Sequence, residues 1–312
     1  MILYKNARCI FLKVDGVAIS LIPSVKNTCA VIVTYYPDKD IASRLRRIQK
    51  QLPSIIIIDN ASSKTCLSVL REFSLSPTVD LLENNENEGI GKALNQAASL
   101  AITSGFSWVL MLDQDTLIHG DMFDTLVTIY KATGGRSPCI GSNYWDVSKN
   151  KEFLRCGSRT DREFVERRTV ITSGTLLRLD LFKRIGSFRE DYFIDSVDHE
   201  YCLRIRANGL PVVISCQQLM SHSIGSTDSR ESRLLAFDHP PVRKYYMARN
   251  TLVTLKCYIA REPAWAVCQL ARLIVEFLSI ALLERDKRNK ASAFGRGISD
   301  AVKNRMGRCG RA

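Results

Sequence analysis

Much that would mark a secreted, zinc-binding or membrane-spanning chain is missing from this sequence. Its ten cysteines are scattered over 312 residues without a single C-x-x-C pair. That removes the usual zinc spacings and any disulfide scaffold, and it favours a reducing cytosol. Near the N-terminus the apolar pieces "CIFL" and "VAISLI" are broken by Lys13 and Asp15, so neither a signal-peptide core nor a spanning helix is expected there. The G-x-G-x-x-G loop of a dinucleotide-binding oxidoreductase should follow the first strand, where this chain instead reads "TYYPDKD". Zinc spacing, RNP-like motifs and a helix-turn-helix pattern are also absent, so the basic character does not translate into a nucleic-acid-binding module.

What is present is a large apolar fraction and an uneven charge. Hydrophobic residues make up 46% of the chain, enough for one large domain or for one domain with an appendage. Lys and Arg number 44 against 32 Asp and Glu, a net of +12. From Pro241 onward there are 15 basic and 5 acidic residues, so nearly all the excess lies in the last quarter. Three segments are expected: 1–27 of unassigned role, a main domain over 28–240, and a basic helical region over 241–312.

Between Cys29 and Thr133 the chain alternates. "CAVIVTYY" is an apolar run rich in β-branched residues, and "DIASRLRRIQKQL" then spaces Ile41, Leu45 and Ile48 at helical intervals. The alternation recurs as "SIIIID" and "KTCLSVLREF", as "VDLLEN" and "GIGKALNQAASLAITSG", and as "WVLMLD" and "DMFDTLVTIYKAT". The fold class predicted is α/β, a single mostly parallel sheet flanked by helices. Ligands of such sheets bind beyond the carboxyl ends of the strands.

Polar residues collect at those ends: Thr34 and Tyr35, then Asp59 and Asn60, then Asn87 and Gly89, then Asp113 and Asp115. One of these groups alone could merely cap the next helix, as "DNASS" could, but four strand ends in a row are poorly explained by capping. Asp113 and Asp115 flank one residue at the exit of a buried strand, where like charges are costly unless a cation sits between them. A compact pair of hard oxygens suits Mg²⁺ or Mn²⁺, which keep open positions for phosphate oxygens.

The ordered segments "VTYYP", "IIDNAS", "NENEGIGKALN", "MLDQDT", "TSGTLLRLDLFKRIGSF", "YFIDSVDHEYCLRIRANG", "SHSIGS" and "RKYYMARN" resemble glycosyltransferase family 2. More narrowly they resemble the bacterial rhamnosyltransferases of O-antigen and surface-polysaccharide synthesis. The resemblance spans roughly residues 28–310 and implies a GT-A fold with inverting transfer of a sugar from a nucleoside diphosphate. By resemblance Thr34, Tyr35 and Asp59 lie at the nucleobase, Asp113 and Asp115 bind the metal, and His222 completes the metal and diphosphate site. Arg249 and Asn250 would join Asn87 and Gly89 on the donor. Departures occur at Gly91, Leu94 and Ala97, which bears on the donor contacts of that loop.

In "FIDSVDHEYCLRIRANGL" a helix beginning near Ser196 would put Val197, Tyr201 and Ile205 on one face and leave Asp198 open near its start. Carboxylates also match the dipole at a helix start. Against the family pattern Asp198 falls on the acceptor-activating base, with Asp195 and Glu200 as acceptor-contacting or supporting candidates. The resemblance implies dTDP-rhamnose as donor, with UDP-galactofuranose as runner-up, and a saccharide or polyprenyl-linked acceptor. A basic nucleic-acid- or membrane-binding protein without catalysis is the rival from another class.

In the C-terminal region Leu270, Leu273, Ile274, Phe277, Leu278, Ala281 and Leu282 form one apolar stripe, with Gln269, Arg272 and Glu276 on the opposite face. Arg272 and Glu276 interrupt a spanning segment, which leaves core packing or an interfacial position. Arg285, Lys287, Arg288 and Lys290 beyond it could engage anionic lipid. A cytoplasmic protein, peripheral on the inner face of the membrane, is the expectation.

Overall fold

The computed structural model describes residues 22–147, 150–156, 162–222 and 239–310. Of the N-terminal segment, then, only residues 22–27 are within view. Three strand and helix pairs and a fourth strand open the fold: β1 (Thr28–Thr34) with α1 (Ile41–Gln49), β2 (Ile55–Asp59) with α2 (Lys64–Phe73), β3 (Val79–Glu83) with α3 (Ile90–Thr103), and β4 (Trp108–Asp113). The short β5 (Leu117–Ile118) and α4 (Met122–Ala132) follow.

Alternate residues of the apolar runs go to opposite faces. Cys29, Val31, Ile56 and Ile58 pack with Ala93 and Ala97 of α3 on one side, while Ala30, Ile32, Ile55 and Ile57 pack with Leu45 of α1 and Leu70 of α2 on the other. Burial on both faces explains why these strands read as continuous apolar runs rather than alternating ones.

The rest of the sheet is less regular. It uses β6 (Cys139–Asp146), β7 (Lys151–Glu152), β8 (Phe164–Glu166), β9 (Thr175–Arg178) and β10 (Val212–His222). Strand order along the main path is β3-β2-β1-β4-β9-β6-β10-β5. Through β3, β2, β1 and β4 all pairings are parallel. Beyond β4 the sheet is mixed, because β9 runs antiparallel to both β4 and β6, and only β6 with β10 is parallel. The expected parallel character therefore describes the first four strands and not the sheet's far half.

Between β9 and β10 lie α5 (Asp180–Ile185), a 3-10 turn at Glu190–Tyr192 and α6 (Val197–Ala207). Val197, Tyr201 and Ile205 are buried as the helical spacing predicts. The chain ends in α7 (Pro241–Tyr258), α8 (Pro263–Leu282) and α9 (Lys287–Val302). One cysteine pair, Cys156 and Cys216, is disulfide-bonded across 60 residues of sequence. Spacing gave no hint of that bridge, since it joins β10 to the segment after β7.

Helix α8 is turned inside out. Its buried residues are Trp265, Ala266, Gln269, Glu276 and Ile280. Val267, Leu270, Ile274, Val275, Phe277, Leu278 and Leu282 stand 46–68% exposed. Inward, Glu276 ion-pairs with Lys244 of α7, which is 0% exposed and also donates to Glu284 at 2.6 Å. Lys290 donates to the other Glu284 oxygen at 2.9 Å. Lys290, expected among the lipid-facing charges, is thus buried in an ion pair; Arg285, Lys287 and Arg288 are exposed. Contrary to the expectation that Arg272 and Glu276 interrupt it, α8 is long and apolar enough by length and composition to cross a membrane. Core packing of the stripe, the other option left open by the sequence, is not what the fold does with it.

Candidate active site

Strand order reverses at β1, with β2 on one side and β4 on the other, and the polar strand ends meet there. Thr34 Oγ1 donates to Asp59 Oδ2 at 2.8 Å, and Ser62 donates to both Asp59 oxygens through its amide (2.7 Å) and hydroxyl (2.6 Å). Asp59 and Thr34 are 0% exposed, so the carboxylate is a fixed element of the β1–β2 edge. Tyr35 stands out into solvent beside Tyr36, their rings edge-to-face at 4.8 Å. The Tyr35 backbone is tied from both sides by Gln114, which accepts from its amide at 2.8 Å and donates to its carbonyl at 3.1 Å.

Helix capping takes only a small share of these groups. Ser63, not Asn60 or Ser62, caps α2. Asn60 instead donates to Asn87 at 3.0 Å and accepts from the Glu88 amide at 3.0 Å, and Asn87 accepts from the Gly89 amide at 2.9 Å. Asn60 and Asn87 thus shape the loop ahead of α3. Gly89 has φ +82° and a Cβ there would meet the Phe193 carbonyl at 2.6 Å. It is glycine because the 193 backbone packs against it.

Asp113, Asp115 and His222 come together at the exit of β4, one ligand atom of each lying within 4.8 Å of the others. His222 Nε2 is 3.7 Å from Asp113 Oδ2, and Nδ1 is 3.4 Å from Asp115 Oδ1. Three chain segments converge to make this cluster: the "DQDT" turn, the start of β9 and the end of β10. Asp113's amide donates to Ser173 Oγ at 3.1 Å, Ser173 Oγ lies 2.5 Å from Thr116 Oγ1, and Thr116 Oγ1 lies 3.3 Å from His222 Nδ1.

Although 41% of the Asp113 side chain is open, enclosure raises its carboxyl above the usual range. Asp115 and Asp198 push the same way, against His222 and Arg243. Burial works to lower the His222 imidazole, but Asp115, Asp113 and Asp146 outweigh it and the net direction is up. Together the two carboxylates and the imidazole offer three ligand atoms of the kind a hard divalent cation takes. The donor set fits Mg²⁺ or Mn²⁺.

Asp198 sits at the start of α6, close enough to raise both Asp113 and Asp195, and its carboxylate accepts from the His199 amide at 2.8 Å. The approach to α6 is unusual: Phe193, Asp195 and Ser196 all have φ between 61° and 65°. Side chains held in this region cost free energy and persist only where surrounding contacts enforce them. Here the enforcement comes from α7. Asn250 donates to the carbonyls of Tyr192, Ile194 and Asp195 at 2.7–3.0 Å, and Arg249 donates to those of Asp191 and Tyr192.

Two expected donor contacts are corrected by this. Arg249 and Asn250 are 0% exposed, and Arg249's remaining nitrogens are engaged by Asn250 and the Gly307 carbonyl. A buried guanidinium must satisfy its donors, and the carbonyls turned back by the strained loop supply acceptors. Both residues therefore build the loop from behind. Glu200 is likewise 3% exposed, ion-paired with Arg204 and accepting from Tyr258 Oη at 2.8 Å, so it is a core residue and not one that reaches an acceptor. Asp195 Oδ1 is 3.4 Å from Arg243 Nε, while Oδ2 is buried without a hydrogen-bond partner.

Among the residues that sequence reasoning missed, Gln114 is the spacer of the D-x-D and Ser173 lies in "TSGTLL". Only position beside a recognised motif could have drawn notice to either.

A model of glycosyl transferase family 2 matches residues 29–186, just over half the chain. The chain belongs to glycosyl transferase family 2. The dTDP-rhamnosyl transferase RfbF of Shigella flexneri is 28% identical over 242 residues, 74% of this chain and 80% of that protein. Among solved structures, S. aureus TarS 1–349 with UDP-GlcNAc overlays with a TM-score of 0.59 at 16% identity, covering 88% of this chain and 81% of TarS 1–349. The mannosyltransferase PcManGT of Pyrobaculum calidifontis, solved with GDP-Man and Mn²⁺, gives 0.55 at 14% identity, covering 89% and 86%. These likenesses show the GT-A fold. Family membership decides for a glycosyltransferase over the non-catalytic binding protein.

Proposed function

We propose that this glycosyltransferase moves L-rhamnose from dTDP-rhamnose, with inversion, to a hydroxyl of a saccharide or lipid-linked acceptor in surface-polysaccharide synthesis. The observation that carries the reading is the Asp113, Asp115 and His222 cluster at the switch point of the sheet, with Asp59 two strands away at the same edge and Asp198 close enough to raise Asp113. Asp59, held by Thr34 and Ser62, fixes the β1–β2 edge on which the base would lie, and exposed Tyr35 supplies a flat surface there. When bound between Asp113, Asp115 and His222, the cation supplies counter-charge to the diphosphate. Asp198 takes the acceptor proton, and Arg243 and Asp195 shape the acceptor side. Asn87 and Gly89 keep the loop before α3 in place below the donor.

Support for the sugar comes from the rhamnosyltransferase relative, which covers most of the chain. The test is a screen of nucleotide-sugars for cation-dependent release of nucleoside diphosphate. Consumption of dTDP-rhamnose is expected; turnover of UDP-galactofuranose in its place would transfer the assignment to the runner-up, and turnover of neither would end it.

The cytoplasmic membrane surface is the proposed location, with 241–312 as the attachment region of a 28–240 catalytic domain. The outward apolar face of α8 and the exposed Arg272, Arg285, Lys287 and Arg288 support an interfacial helix. A surface position suits α8 better than a crossing one, since Lys244 and Glu276 tie its other face to α7.

A further inference from the structure

Thr116 and Ser173 are each 1% exposed and have no part in the reading so far. The Thr116 amide closes the turn onto the Asp113 carbonyl at 3.1 Å, and the two residues after it pair with Met220 and Ser221, next to His222. Ser173 precedes Gly174, whose amide donates to the Met111 carbonyl at 2.8 Å. Both hydroxyls are therefore fixed by backbone, Thr116 against Nδ1 of the His222 imidazole and Ser173 behind Thr116.

A neutral imidazole has one donor and one acceptor nitrogen, and the partner of one sets the state of the other. Were Thr116 to donate to Nδ1, the proton would lie on Nε2, facing Asp113, and that nitrogen could not ligate a cation. In the opposite sense Nδ1–H donates to Thr116 Oγ1, Thr116 donates to Ser173 Oγ, and Ser173 Oγ also accepts from the Asp113 amide. Every oxygen then stays within its two lone pairs. Asp115 favours the same sense, since its Oδ1 lies 3.4 Å from Nδ1, slightly farther than the Thr116 hydroxyl at 3.3 Å. Nε2 is left as a lone pair 3.7 Å from an Asp113 oxygen. Two acceptors facing each other are what a cation between them would satisfy.

We propose that Thr116, backed by Ser173, is a positioning residue of the metal centre that holds the Nδ1–H tautomer of His222 and so presents Nε2 beside Asp113. Outer partners of a metal-bound histidine characteristically act in this way. The inference rests on the metal reading above, and its test separates the two. Mn²⁺ binding to the full chain is measured by the electron paramagnetic resonance of free Mn²⁺, for the parent, Thr116→Val, Thr116→Ser and Ser173→Ala, each checked for an unchanged thermal transition.

Thr116→Val should weaken Mn²⁺ binding on the order of 10-fold or more, Thr116→Ser should restore it, and Ser173→Ala should fall between. Nitrogen-15 shifts of His222 should report a protonated Nδ1 in the parent and a tautomer mixture in Thr116→Val. Parent-like Mn²⁺ affinity in Thr116→Val, or a protonated Nε2 in the parent, overturns the role of Thr116 alone. A parent that binds no Mn²⁺ overturns the metal centre and this role with it.

Discussion

Along β1 to β4 apolar side chains are inside, and Asp113 and Asp115 stand at the exit of β4 with 41% of each side chain open. Across α7 to α9 the pattern is reversed: Lys244, Glu276, Glu284 and Lys290 are buried against one another while Leu270, Ile274, Phe277 and Leu282 face outward. The first region leaves charge free to meet a small charged ligand. The second pairs its buried charges internally and leaves apolar surface free, rimmed by exposed Arg272, Arg285, Lys287 and Arg288, as suits a partner without water. An exposed apolar face of this extent marks an interaction surface rather than ordinary surface.

Breaking the first side of the comparison should have the largest effect. Asp115→Asn should lower sugar transfer on the order of 10³-fold, equivalent to several kcal/mol of lost charge stabilisation, in a chain that melts as the parent does. Initial rates at saturating donor measure this. On the second side, Lys244→Met should cost about 3 kcal/mol of stability by urea unfolding, since it strands Glu276 in the interior. Lys290 still faces Glu284 in that variant, which keeps the cost at the low end for a broken buried pair.

Asp198→Asn sharpens the division of labour within the site. It should reduce transfer on the order of 10²-fold while donor and Mn²⁺ affinities stay near those of the parent; a collapse of donor affinity would move Asp198 to the metal. The smallest effect on catalysis belongs to the lipid face. Reversing Arg285, Lys287 and Arg288 to Glu removes roughly 1 kcal/mol of attraction per residue to anionic vesicles. Sedimentation should show the variant released and donor hydrolysis in solution unchanged. Undiminished binding would show that these three charges do not hold the chain to anionic lipid.

The same contrast explains what could be read without a structure. β1 to β4 and their helices were legible because each strand is a short apolar run and each helix shows its own spacing, all local signals. The strand-end carboxylates followed from that alternation. β9, inserted antiparallel between β4 and β6, was not legible, because pairing between distant segments leaves no local period. Periodicity gave α8 an apolar stripe but not the side of the helix on which water lies; the buried acids that decide it depend on Lys244, thirty-two residues away from Glu276. Arg249 and Asn250 misled for a related reason: polar residues in a motif suggest a ligand, yet here the backbone carbonyls of 191–195 are what they bind.

The account's central claim is that the carboxylates at the exit of β4 hold a cation and that the cation holds the donor's diphosphate. Calorimetric titration of the full chain with dTDP, in Mn²⁺ and again after chelation, addresses it most directly. Binding in Mn²⁺ that weakens at least about 10-fold on chelation, and does not respond to Mn²⁺ in Asp115→Asn, is the expected result. Equal dTDP affinity with and without the cation in the parent would contradict the claim.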